Sequence, residues 1–100
     1  MKVRFRQTGG LGGLVFGCDL DTATMSQSET ETLLLLIQQA KLHEIGVRSD
    51  KRGRDLLSFE IRLEEKGRKV KASFDTMTTP PHAESLLRFL TERARAIPLE

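Results

Sequence analysis

Apolar residues along the chain alternate with polar ones in some stretches and recur every three or four positions in others. "KVRFRQT" (2–8) alternates: Val3 and Phe5 point one way, and Lys2, Arg4 and Arg6 point the other. That period of two predicts a half-buried strand with a basic outer face. In "LVFGCDL" (14–20), Leu14, Phe16, Cys18 and Leu20 share one face, which predicts a second strand. "LLSFEIRLEEKGRKVKASFD" (56–75) alternates twice about a central "EKGR". It predicts a hairpin with Leu57, Phe59, Ile61, Leu63, Val70, Ala72 and Phe74 inward and Gly67 supplying the positive φ of the turn.

Two other stretches carry the helical period. In "SQSETETLLLLIQQAKLHEIG" (26–46), Leu33, Leu36, Ile37 and Ala40 follow the i, i+3, i+4, i+7 spacing of one helix face. Ser26 and Glu29 match a capping box, and Gly46 fits a C-terminal stop. In "TTPPHAESLLRFLTERARAI" (78–97), Thr79 is the expected cap and Pro80 the first helical residue. Ala83, Leu86, Leu87, Leu90, Ala94 and Ile97 make the apolar stripe there.

The predicted order is therefore β-β-α-β-β-α: an α+β fold in which a four-stranded antiparallel sheet carries two helices on one face and leaves a charged face in water. Its 100 residues suit one domain, residues 1–98, with Leu99 and Glu100 set aside as a vector-derived tail. With no Trp or Tyr, the five Phe and the many Leu must fill the core.

Sixteen basic residues against fourteen acidic ones leave a net charge of +2, a weak argument against a dedicated nucleic-acid binder. The single cysteine, Cys18, excludes an internal disulfide and fits a reducing, cytoplasmic setting. No apolar stretch approaches the roughly 20 residues of a membrane span, and the N-terminus lacks a signal peptide's apolar region.

Between the first two strands stand Gly9, Gly10, Leu11, Gly12 and Gly13. A phosphate-binding loop would need a Lys-Ser/Thr step opening a helix, and a dinucleotide fingerprint would need a helix after the turn. Here the next element is a strand. A bulged hairpin turn and a surface for protein contact, with Leu11 displayed at its tip, remain as readings. His43 and His82 each stand alone, away from any metal-ligand spacing, and read as solvated. Cys18 reads as a small buried thiol without an activating base, and Asp19 and Asp21 as turn residues at a strand end. No acid–base pair is evident, so no catalytic residue, metal site or cofactor is expected.

The segment Val47–Asp55 is polar and basic, reads as a mobile loop, and offers Arg48, Lys51, Arg52 and Arg54 to an acidic partner surface. Leu35 and Leu42 lie opposite the first helix's core stripe and, if exposed, would form an apolar strip.

Taken together, "VRFRQTGGLGGLVFGCDLDT", the Leu-rich helix, the "FEIRLEEKGRKVKASFD" hairpin and the "PPHAESLLRFL" ending resemble the emfourin family of small protein inhibitors of protealysin, a thermolysin-like metallopeptidase. The matching positions are Gly9, Gly10, Leu11, Gly12 and Gly13, then Asp21 and Thr22. The stretch "AKLHEIGVRSDKRGRDLLSF" departs from the family pattern in having no proline. The resemblance implies an inhibitor, not an enzyme, that fills the active-site cleft of a thermolysin-like zinc metalloprotease without a zinc ligand of its own. The alternative is a non-catalytic module that binds another protein or a nucleic acid through Arg4, Arg6, Arg62, Lys69 and Lys71 on the open sheet face.

Overall fold

The computed structural model describes residues 1–9, 14–48 and 56–97. Strands β1 (Lys2–Thr8), β2 (Val15–Asp21), β3 (Ser58–Glu65) and β4 (Arg68–Asp75) form where alternation predicts them. They pair antiparallel in the order β4-β3-β1-β2, so β1 is central. The β3–β4 turn is two residues, Lys66 and Gly67, both at positive φ, the geometry that matches the strands' own twist.

A fifth strand, β5 (Arg95–Ile97), pairs antiparallel with β2 at the sheet's edge. It corrects both the four-stranded expectation and the long last helix. That helix, α3 (Glu84–Arg93), stops at Arg93, and Ala94 turns extended with ψ 144°. Ala94 and Ile97 continue the helical spacing, but the unpaired backbone of β2 captures the chain instead. The start is shifted as well. Pro80 is the cap residue and Pro81 opens a 3-10 turn, Pro81–Ala83, ahead of α3. Thr79 caps nothing; its hydroxyl donates to the Asp75 carbonyl at 2.8 Å.

The first helix also divides. α1 (Gln27–Ala40) ends where Lys41 takes φ 48°, and α2 (Leu42–Ile45) follows in a new direction before Gly46, at φ 62°. Ser26 caps α1, its hydroxyl accepting from the Glu29 N–H at 3.2 Å. Glu29's carboxylate pairs with Arg93 of α3 at 3.3 Å, tying the two helices together. Arg93 also lies over the Phe89 ring, 3.6 Å from its centroid.

The helices cover one face of the sheet, α2 over β4 and α3 over β2. Val3, Phe5, Phe59, Ile61, Ala72 and Phe74 from the strands meet Leu33, Ala40, Leu42, Leu86, Phe89 and Leu90 from the helices in one core. Phe5 stacks on Phe59, with ring centroids 6.3 Å apart, and Phe59 lies against Phe74. Leu36 and Ile37 pack at the margin. The break at Lys41 explains a divided outcome for Leu35 and Leu42. Leu35 is 55% exposed, whereas Leu42 is swung inward and buried, so the two form no common strip.

Candidate functional site

Register decides which segments meet. Thr8 lies opposite Ser58, Ser58 opposite Asp75, and Val15 opposite Ile97. The connection after β1, the segment leading into β3, the turn after β4 and the end of β5 therefore all gather at one end of the sheet. The connection between Gly46 and Ser58 borders this end too. Val47 makes a parallel bridge to Ser73; the Ser73 N–H donates to the Gly46 carbonyl and the Arg48 N–H donates to that of Ser73, both at 2.8 Å. The expected mobile loop thus begins as a short addition to the edge of β4.

Gly9 closes β1 at φ 97°, a backbone conformation that side chains disfavour. A Cβ there would run into the carbonyl oxygen of Leu56. Two chain segments far apart in sequence are thus in backbone contact, and only glycine permits it. Gly10, Leu11, Gly12 and Gly13 lie outside the described residues, as do Lys51, Arg52 and Arg54. Arg48 is exposed at the border of the β4 edge.

Sequence reasoning missed the apolar rim of this end. Leu14, expected inward, is 53% exposed; Val47 is 76% exposed and Met77 66% exposed. Leu14 immediately precedes β2, and Met77 lies in the turn that Asp75 organises by accepting from the Met77 and Thr78 N–H groups at 2.9 and 3.0 Å. The alternation that put Leu14 inward holds only from the strand's first paired residue, Val15. Between the rim residues, a shallow groove of about 520 Å³ runs over the helix-free face, with Val15 and Ile97 toward one side and Val47 and Arg48 toward the other. Leu14, Val47 and Met77 are three of the five large apolar side chains exposed among the described residues; the other two, Leu34 and Leu35, stand on α1.

The remaining sequence candidates disperse. His43 and His82 are exposed on different elements, His43 3.8 Å from Glu44. Among the described residues no group of three or more His, Cys, Asp or Glu could hold a metal ion. The Cys18 Sγ points at the Leu90 carbonyl, 3.7 Å away. Burial, and secondarily the Asp19 carboxylate, push its thiol pKa up and keep it protonated and unreactive. Asp21 accepts from the Ala23 N–H in a turn, whereas Asp19 is held by Arg6 in a two-pronged ion pair of 2.9 and 3.2 Å. Gly17 makes room for that pairing, because a Cβ there would meet the Phe5 carbonyl and the Arg6 side chain.

The basic face expected from the strands is mixed. Arg6 is paired with Asp19, while Arg62 and Lys71 share Glu60 at 2.7 and 3.6 Å.

The described residues define a small α+β domain whose distinctive feature is a surface, with apolar side chains displayed at one end of a sheet. A family model, Emfourin, matches residues 5–91, nearly the whole domain, and the chain belongs to the emfourin family. The family is one of protein inhibitors of metallopeptidases. No curated protein and no solved structure matches the chain.

Proposed function

We propose that this protein is a stoichiometric inhibitor of a thermolysin-like zinc metalloprotease, acting in the cytoplasm, and that the loop end of the sheet enters the protease cleft. Family membership supports the inhibitory role. The observation that carries the location is that Leu14, Val47 and Met77, all exposed, stand at the end of the sheet where Gly9 meets Leu56.

The physical case is one of preorganisation. A cleft that binds apolar side chains is blocked by a partner that arrives with such side chains already in place. Each side chain immobilised on binding costs about 0.5–1.5 kcal/mol, and anchorage on paired strands removes part of that cost beforehand. The backbone contact of Gly9 with Leu56 holds the end of β1 against the residue that leads into β3. Inhibition of this kind needs no metal ligand from the inhibitor, because occupying the cleft excludes substrate.

Titration of the purified protein against thermolysin-like enzymes, read by cleavage of a small peptide substrate, tests the reading. Activity is expected to fall linearly to a stoichiometric end point. Leu14→Asp and Leu11→Asp should each weaken inhibition by about tenfold or more, since a carboxylate would be desolvated in the contact. Circular dichroism should show both variants folded. Unimpaired proteolysis at excess wild-type protein would reject the reading. Full inhibition by both folded variants would move the contact away from the loop end.

A further inference from the structure

The helix-free face carries a second feature, away from the loop end. Arg4, Arg62 and Lys71 stand directly opposite one another on β1, β3 and β4. Neighbouring strands are about 4.8 Å apart, so three cations form a row straight across the sheet. Like charges directly opposite on paired strands are destabilising, and the fold's own carboxylates offset this row only in part. Glu60 serves both Arg62 and Lys71, and Asp19, next in the row beyond Arg4, is taken by Arg6. Arg4 is exposed and has no ion-pair partner among the described residues. Lys2 and Lys69 flank the row across a shallow groove of about 630 Å³.

We propose that this row is a binding site for an acidic polypeptide segment, whose carboxylates pair with Arg4 and add to the single Glu60 that Arg62 and Lys71 share. Charge complementarity gives the sign of the partner, and two observations favour polypeptide over nucleic acid. Asp19, Asp21 and Glu64 line the same groove and would repel a continuous phosphate backbone, whereas separated carboxylates can seat between them. The face also offers nothing on which bases could stack: all five phenylalanines fall at inward strand positions or on α3, and the chain has no Trp or Tyr. Two of the cations are arginines, whose planar forks match a carboxylate with two hydrogen bonds. This proposal stands independently of protease inhibition.

The test uses the whole protein and a hexaglutamate peptide as probe, with amide chemical shifts followed by NMR. Saturable shifts are expected at Arg4, Arg62 and Lys71, with an affinity that falls as salt is raised. Arg4→Gln should lower the affinity about tenfold, the scale of one charge-assisted hydrogen-bonded pair. Arg88→Gln, which removes the same charge from α3, should change it by less than about twofold because that position is distant and screened. Arg4→Gln relieves a like-charge contact and is expected to fold normally, which its own amide spectrum checks. Absence of saturable shifts would overturn the proposal. So would equal losses in the two variants, which would mark a response to net charge alone, or equally tight binding of hexauridylate, which would mark a nucleic-acid surface.

Discussion

The two hairpins of this sheet are built to different standards of economy. The β3–β4 hairpin pairs eight residues with eight and turns in two, Lys66 and Gly67. The β1–β2 hairpin pairs comparable strands but joins them through residues 9–14, four of them glycine. Antiparallel pairing alone needs only the first kind of turn. Thr8, Val15, Arg48 and Leu57, from which the two longer connections leave and return, all stand at one end of the sheet. Scaffolds place binding residues in such connections and keep the opposite end tight. The other end, around Lys66 and Gly67, presents charged side chains and a closed turn.

The largest expected effect breaks the frame that both hairpins share. Phe5 is fully buried on the central strand and stacked on Phe59, so it joins β1 to the β3–β4 hairpin and to the helices above. Phe5→Ala should cost about 3–5 kcal/mol, a large part of the stability of a domain this size. Urea denaturation followed by circular dichroism measures it. A loss below about 1 kcal/mol would mean that the core closes around the void and that the two hairpins do not depend on one anchor.

A smaller effect separates the two turns themselves. Gly67 sits at φ 80°, and a Cβ there would meet nothing within 4 Å. Gly67→Ala should therefore cost only the conformational penalty, about 1–2 kcal/mol. Gly9, at φ 97°, adds a clash with the Leu56 carbonyl oxygen. Gly9→Ala should cost more, up to about 3 kcal/mol, and should also disturb the amide signals of Leu56 and Leu57. Equal, mild costs at both positions would show that the contact between Gly9 and Leu56 yields easily and does not preorganise the loop end.

The comparison also shows what the amino-acid pattern reveals and what it conceals. Val3, Phe5, Phe59, Ile61, Ala72 and Phe74 were legible because strand alternation is local and strict. Leu33 and Ala40 were legible for the same reason in a helix. The fifth strand was not: Leu86, Leu90, Ala94 and Ile97 keep a helical spacing, and only the open edge of β2, distant in sequence, diverts Arg95–Ile97 into the sheet. The turn at Lys41 was hidden because lysine carries no preference for positive φ; burial of Leu42 and Ile45 rewards the bend. Phe89 was within reach, since Leu86, Phe89 and Leu90 satisfy i, i+3, i+4. The glycines announced the candidate site, but its apolar rim and the Gly9–Leu56 contact depend on register between strands, which no single segment encodes.

Helix capping gives a test of how the roof is held over this sheet. Ser26 supplies the side-chain acceptor for α1, and Ser26→Ala should cost about 1 kcal/mol. Thermal unfolding would register that as a modest drop in Tm with no change in the folded spectrum. The loop end should be untouched, so the variant should inhibit as well as the wild type if the proposed contact is right. Weakened inhibition in a folded Ser26→Ala protein would place α1 in the contact instead.

The smallest effect concerns the clasp between α1 and α3. Arg93 pairs with Glu29 at 3.3 Å, donates to the Phe89 carbonyl at 3.0 Å and covers the Phe89 ring. Both charged side chains are partly exposed, so water and salt screen the ion pair, and exposed pairs contribute about 0.2–1 kcal/mol. Glu29→Gln alone should therefore cost little. Arg93→Ala should cost more, because it also removes the cation over the ring and the carbonyl contact. A double-mutant cycle between the two positions isolates the pair, with an expected coupling of about 0.5 kcal/mol that declines as salt is added. Coupling that is zero at low salt would remove the ion pair from what holds α1 against α3, since Arg93 and Phe89 both lie on α3. The helices would then be held by the same kind of burial that holds the strands beneath them.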